Sequence, residues 1–473
     1  MSLIRTLARN LASMSVMRLG SALLSFALFW FLARSGDAAF LGTYAFLLGV
    51  FAFLQQLPLL GLQLAAIRDV SADAQSAPEV VANLGGLGVA TALLLGTGCA
   101  LAGVAFYPAD MRWGFVLIGC SMLPTAWINL SEAILVGHQR MGFVAGINLG
   151  EATARAAGSA LAVAIGGGLD ALFAVFLLAR IGAAACYWFL PQVPRWEVRL
   201  FDWRRLRGQL AEAPAFLGIM VFSAAISRFD LIFLSLLGSF SDVGVYAVAA
   251  KVYEAALMAP AVITSVLYPA YSRAAEQDRT AVHAMLKTTV FWVFLLALPC
   301  AIGVALLAQS LVGSVFGDAF AAAAPALQIL MAALVLLTLN QALTLALLAC
   351  HEQRSDLNSL LVSSACIVFL LPLLIPAVGM VGAAWAVFGA QLVQLGMRTL
   401  YVLRRLGMAP GFGALWRPGL AGLAMVATAQ LLEDRAIVIR IAGAFLAYGL
   451  ALYLSGGLRG EMRRAVTGLL RAR

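Results

Sequence analysis

Charge is scarce in this 473-residue chain: Asp, Glu, Lys and Arg make up 11% of it, against 63% hydrophobic residues. A soluble domain carries about 25% charged residues, so most of the chain belongs in lipid. Lysine is nearly missing, with only Lys251 and Lys287 among 31 basic residues. The three histidines (138, 283, 351) fall in loops or at their edges, and the six cysteines inside or beside apolar stretches. Neither set has the spacing of a metal site or a disulfide framework. There is no P-loop, no Gly-x-Ser-x-Gly elbow and no His/Cys metal spacing. That excludes an ATP-driven pump acting alone, leaves catalysis without a constellation, and gives no reason to expect a cofactor or a metal. Long outer loops are missing too. The segments 35–40, 166–170, 238–242 and 317–320 are too short to hold the catalytic domain of a membrane glycosyltransferase or ligase. The net charge of +9 sits in short loops between apolar spans, which speaks against nucleic acid as a partner.

What is present is a succession of apolar windows of about 20 residues, each long enough to cross a bilayer. Fourteen are expected: 11–33, 41–64, 83–106, 113–136, 142–166, 170–190, 214–237, 243–267, 288–309, 321–349, 358–377, 380–402, 415–432 and 436–455. The first lacks a small-x-small cleavage site and reads as a retained span rather than a signal peptide. Residues 3–10 set Leu3, Ile4 and Leu7 opposite Arg5 and Arg9, as in an interfacial helix. With the N-terminus in the cytoplasm, 22 loop cations fall inside, Arg68, Arg140 and Arg398 among them; only Arg34, Arg112, Arg435 and Arg440 fall outside. This asymmetry places both termini in the cytoplasm. The linker 191–213 interleaves five arginines with Phe201, Trp203, Leu206 and Leu210, the pattern of an amphipathic helix on the inner leaflet.

The chain also echoes itself. Leu41-Gly42-Thr43-Tyr44-Ala45 returns as Val243-Gly244-Val245-Tyr246-Ala247. His138-Gln139-Arg140 is answered by His351-Glu352-Gln353-Arg354, and Ala174-Val175-Phe176 by Ala386-Val387-Phe388. Each half holds six spans, an even number, so the repeats run parallel. The expected fold is all-α and polytopic, with about 14 transmembrane helices. Residues 1–200 form an N-lobe and 201–410 a C-lobe; 411–473 add two helices and a basic cytoplasmic tail.

Nine charges fall within spans: Arg18, Glu132, Glu151, Arg155, Arg180, Arg228, Asp230, Lys251 and Glu254. Each would cost about 2.5–3.5 kcal/mol at a helix centre, so they must face a watery or protein-lined interior. Glu151/Arg155 and Lys251/Glu254 are spaced to pair on their own helices. Five cations against four acids leave one cation over even with complete pairing. An arginine in a cavity suits an anion such as phosphate or pyrophosphate. The cations Arg18, Arg155, Arg180, Arg228 and Lys251 are therefore candidate substrate contacts. Glu132, Glu151, Asp230 and Glu254 are candidates for coupling to protons or sodium.

The segments LGTYAFLLGVFAFLQQLPLLGLQLAAIRDVSA and SRFDLIFLSLLGSFSDVGVYAVAAKVYEA resemble polysaccharide and O-antigen flippases of the multidrug/oligosaccharidyl-lipid/polysaccharide exporter superfamily. The likeness covers the first 12 spans in layout. It implies a V-shaped pair of six-helix lobes working by alternating access in the bacterial inner membrane. The implied substrate is an oligosaccharide on undecaprenyl pyrophosphate, moved to the outer leaflet for O-antigen, capsule or exopolysaccharide synthesis. Membrane lipids, a polymerase and glycosyltransferases are the implied partners. The resemblance also points to Arg18 and Lys251, in spans 1 and 8, as cations beside a lateral opening. A multidrug exporter or a lipid II flippase is the alternative.

Overall fold

The computed structural model describes residues 2–258, 267, 270–276 and 278–456. The basic tail after 456 and residues 259–266 of the expected span 243–267 lie outside the described residues. So do the side chains of the expected interfacial helix 3–10.

Among the described residues the chain is helical with no strand. In order, the helices are α1 (Ser2–Ser35), α2 (Ala38–Leu54), α3 (Gln63–Ala72), α4 (Ala77–Phe106), α5 (Ala109–Gly137), α6 (Met141–Ala164), α7 (Leu169–Trp188) and α8 (Trp203–Leu237). There follow α9 (Phe240–Ala256), α10 (Arg279–Leu306), α11 (Ala308–Phe316), α12 (Ala324–Ala349), α13 (Gln353–Val378), α14 (Met380–Leu406), α15 (Trp416–Leu431) and α16 (Ile437–Leu454). Nine helical segments among the described residues are long and apolar enough to cross a membrane. α6 is long enough but not among them, and it carries Asn148, Glu151 and Arg155. Contacts group the chain into two units, Met1–Ile232 and Phe233–Arg473, with the division falling inside α8.

The echoed phrases mark repeated local structure. Asp37 caps α2 by accepting from the Phe40 N–H at 2.8 Å. Ser239, 202 residues on, caps α9 by accepting from the Asp242 N–H at 3.1 Å. Both helices run 17 residues. An oxygen-bearing side chain satisfies one of the orphan N–H groups of a helix start, so the same stop and start is written twice in different residues. The ends of α5 and α12 also match. Gln139 (φ 56°) and His351 (φ 62°) adopt the left-handed conformation. Arg140 N–H donates to Leu135 O at 2.8 Å, and Glu352 N–H to Leu347 O at 2.8 Å. This is the Schellman closure of a helix end. It aligns Gln139 with His351 at an offset of 212, so the two histidine-bearing phrases echo each other one place out of structural register. Ala174–Phe176 and Ala386–Phe388 keep the same offset.

The expected span 41–64 is two helices, not one. α2 stops at Leu54, and residues 55–62 turn through Leu60 (φ 50°) and Gly61 (φ 81°) before α3 begins. Pro58 has no N–H to continue a helix. The freed carbonyls are held from outside: Asn129 Nδ2 donates to Gln55 O at 2.9 Å, and the Thr91 hydroxyl donates to Pro58 O. The α4–α5 crossing is close, and a Cβ on Gly96 would stand 2.5 Å from the Gly119 carbonyl oxygen.

The linker also differs from expectation. Residues 191–202 form a strap with one short 3-10 turn at Val198–Leu200, and a helix starts only at Trp203. Trp196 Nε1 donates to Ala82 O at 3.2 Å, and the Asp202 N–H to Asn83 Oδ1 at 2.8 Å. Leu206 is buried in the core of α3, α4 and α5, while Phe201 and Trp203 are exposed. In the second unit α15 and α16 pack on α10 through Phe291, Met425 and Tyr448, whose hydroxyl donates to Leu295 O at 2.8 Å.

Candidate functional site

Four of the nine in-span charges converge in the first unit. Glu132 comes from α5, Glu151 and Arg155 from α6, and Arg180 from α7; they line a cavity of about 270 Å³ together with Gln55 and Asn148. Ser21 of α1 and Asn129 of α5 also reach it. The local sequence explains the convergence. Asn129 and Glu132 are three residues apart, as are Asn148 and Glu151, so each helix turns an amide and a carboxylate to one face.

The Glu151–Arg155 pair that their spacing allows does not form. Glu151 is taken by Arg180, with Nε 3.2 Å from Oε1 and Nη1 3.5 Å from Oε2. The two side chains are only 9% and 12% exposed. A buried pair survives desolvation only when further contacts complete it. Arg180 has these: its Nη2 donates to Gln55 Oε1 at 3.1 Å, and its guanidinium lies 4.9 Å from the Phe51 ring and 5.9 Å from the Phe176 ring. Arg155, deprived of Glu151, faces the same Phe176 ring at 5.8 Å. Among the described residues no carboxylate lies within ion-pair distance of it. One phenylalanine of a repeated phrase is thus shared by two guanidinium groups, an arrangement that favours cations through the ring quadrupole.

Glu132 is held differently. Its Oε1 accepts from Asn148 Nδ2 at 2.7 Å. The Tyr187 hydroxyl lies 3.4 Å from that oxygen and 3.3 Å from Asn148 Oδ1, with one proton to offer between them. Its Oε2 has no donor among the described residues, and Glu132 lines the cavity. A neighbouring space of about 300 Å³ is lined by Gln55, Gln56, Gln63, Asn129 and Glu132 beside the α2–α3 break.

The remaining charges stand elsewhere. Arg18 is exposed on α1, three residues before Ser21. On α8, Arg228 is half-buried and Asp230 is buried. Lys251 lies 3.3 Å from Glu254, as their spacing on one helix predicts. Arg398, expected among the cytoplasmic loop cations, is instead 8% exposed within α14 and pairs with Asp356 at 2.9 Å. Sequence reasoning on charges alone missed Gln55, Asn129, Asn148 and Tyr187. The repeated Asn-x-x-Glu and the Gln55-Gln56 step before Pro58 were the available signals.

A family model described as "Polysaccharide biosynthesis protein" matches residues 31–325, more than half of the chain and the three helices, α5, α6 and α7, that carry the four charges. The chain belongs to the polysaccharide biosynthesis protein family. No curated protein matches it in sequence. In fold, this family member is similar to the lipid II flippase MurJ in an inward closed conformation. The two share 14% identity over 93% of this chain and 98% of that one, at a TM-score of 0.76. It is also similar to an inward-facing multidrug resistance MATE family transporter of the MOP superfamily, with 13% identity, 84% and 98% coverage, and a TM-score of 0.66. A MOP superfamily transporter from Pyrococcus furiosus aligns at 14% identity, 84% and 93% coverage, and a TM-score of 0.53. The family member therefore has the polytopic helical fold of these transporters.

Proposed function

We propose that this polysaccharide biosynthesis protein is a flippase for a lipid-linked oligosaccharide. It moves an undecaprenyl-pyrophosphate carrier from the cytoplasmic to the outer leaflet of the bacterial inner membrane by alternating access. Family membership supports the polysaccharide part of this reading. The observation that carries the rest is Arg155: a guanidinium without a carboxylate partner among the described residues, lining a polar cavity walled by apolar helices. A phosphate or pyrophosphate supplies the missing counter-charge, and the planar fork of arginine matches its oxygens. The polyprenyl tail stays in lipid. Arg18, exposed before Ser21 on α1, serves as an entry contact, with Arg228 and Lys251 as further cations on the second-half helices.

The acids supply a coupling device. With Glu151 engaged by Arg180, the formal charge of the cluster is set by Glu132: +1 when Glu132 holds a proton and zero when it does not. Proton uptake then favours the anion and proton loss releases it. Asp230 and Glu254 remain secondary coupling candidates. Both termini are cytoplasmic in this reading, and a polymerase and glycosyltransferases act on either side of the step.

Deletion of the gene, with mass spectrometry of the accumulating lipids, tests the proposal. The expected result is a polyprenyl-pyrophosphate oligosaccharide retained on the cytoplasmic face, cleared by the intact gene and not by Arg155→Ala. No accumulating pyrophosphate lipid, or full rescue by that variant, overturns it.

A further inference from the structure

Gln56 and Gln63, which line the amide-rich space beside the α2–α3 break, take no part in the anion site proposed above. Gln55, Gln56 and Gln63 approach that space from the break, and Asn129 and Glu132 from α5. The Gln56 and Gln63 amides make no side-chain hydrogen bond to the described residues, although both line the space. Ile67, Ala133 and Val136 close its apolar side. It shares Gln55, Asn129 and Glu132 with the arginine cavity, so a ligand seated at Arg155 continues directly into it.

We infer that this space is a subsite for one uncharged sugar, the residue bonded directly to the pyrophosphate. The inference rests on the flippase reading above and adds the chemical class of the headgroup. A hydroxyl both donates and accepts, and so does a primary amide, whereas a guanidinium only donates and an ionised carboxylate only accepts. The two unengaged amides, Gln56 and Gln63, with one carboxyl oxygen, Glu132 Oε2, that has no donor among the described residues, therefore match the hydroxyls of a sugar. Ile67 and Val136 offer contact to the C–H face of a pyranose. Among the described residues no Lys or Arg lines this space, so a sugar carboxylate would enter without a counter-charge. Its volume of about 300 Å³ lies at the small end of ligand pockets and suits one ring rather than a chain. The broken helix makes the space: an unbroken α2–α3 would direct its backbone groups along its own axis. Such a break is tolerated in a membrane where it borders a cavity and its freed carbonyls find donors, as Gln55 O and Pro58 O do in Asn129 and Thr91.

The test uses the full chain in lipid nanodiscs and three probes: a polyprenyl pyrophosphate without sugar, one bearing a single neutral hexose, and one bearing a single uronic acid. The intact protein should bind the hexose form about tenfold more tightly than the sugarless form, and the uronic acid form no more tightly than the sugarless one. Gln56→Leu and Gln63→Leu, whose side chains hold no partner among the described residues, should each lose about fivefold on the hexose form alone. Equal binding of all three probes by the intact protein overturns the inference. So do glutamine variants that lose both hexose and sugarless binding equally, or lose neither. Failure of the flippase reading looks different: the sugarless probe then binds intact protein and Arg155→Ala alike. Unchanged thermal unfolding of the glutamine variants separates a lost contact from a lost fold.

Discussion

The two halves of this chain repeat their caps and turns but not their interior chemistry. At the offset of 212 that aligns the left-handed turns, Glu132, Glu151, Arg155 and Arg180 correspond to Thr344, Ser363, Ile367 and Leu392. Phe176, which carries two guanidinium groups in the first half, corresponds to Phe388, which packs edge-on against Trp385 at 5.5 Å. In the second half, several buried polar groups pair with one another. Arg398 holds Asp356 at 2.9 Å, Thr344 donates to the same carboxylate at 3.1 Å, and Asn340 Nδ2 donates to Gln391 O at 3.0 Å. The first half leaves Arg155 and one oxygen of Glu132 facing a cavity. The repeat accounts for the matching caps and turns, and the ligand contacts proposed above lie where the copies diverge.

The largest effect tests the structural half of that contrast. Asp356→Ala leaves Arg398 buried without its carboxylate, which costs about 3–5 kcal/mol for a buried pair broken on one side. The purified variant should unfold at a clearly lower temperature, while the fraction that remains folded binds polyprenyl pyrophosphate as before. Loss of affinity at unchanged stability would move the functional contrast into the second half.

Arg155→Ala should do the reverse. Arg155 gives up no ion pair, so thermal stability holds, while affinity for the pyrophosphate probe falls about 10- to 100-fold, the range for a charged hydrogen bond. A variant equally unstable and equally able to bind would make Arg155 a packing residue like its counterpart Ile367.

Glu132→Gln sharpens the same comparison by its pH dependence. In the intact protein, probe binding should strengthen as pH falls and Glu132 gains a proton, taking the cluster from zero to +1. The glutamine variant is fixed at +1, so its binding should be tight and flat across the same range. Titration of affinity against pH in nanodiscs reads this directly. A variant that keeps the wild-type slope would assign the proton elsewhere, with Asp230 or Glu254 next in line.

These contrasts were only partly legible beforehand. Hydropathy located most of the helices, because a span must be apolar whatever the function, and the repeated phrases marked two helix starts that Asp37 and Ser239 cap with an oxygen. Hydropathy also concealed the α2–α3 break: Leu57, Leu59, Leu60 and Leu62 keep the window apolar through a turn that only Pro58 and Gly61 betray. Spacing rules matched Glu151 with Arg155 because they see partners on one helix. The partner that formed, Arg180, lies 29 residues away on α7, brought in by the packing of α6 on α7. The amides that complete the site carry no charge and so escaped a census of charges.

The smallest prediction concerns the scaffold itself. Asp37 and Ser239 perform one task with different atoms: a carboxylate accepts from Phe40 N–H, and a hydroxyl accepts from Asp242 N–H. In the second copy the capping is reciprocal, since Asp242 Oδ2 accepts from Ser239 N–H at 3.2 Å and from its hydroxyl at 2.7 Å. Losing an N-cap oxygen costs about 1 kcal/mol. Asp37→Ala and Ser239→Ala should therefore each lower thermal stability slightly and by similar amounts, with no change in probe affinity. An unequal result would be informative in a definite direction. Should Asp37→Ala weaken binding while Ser239→Ala does not, the start of α2 would be shown to transmit to its far end. There Gln55 holds Arg180, and α9 offers only Leu257 at the matching place.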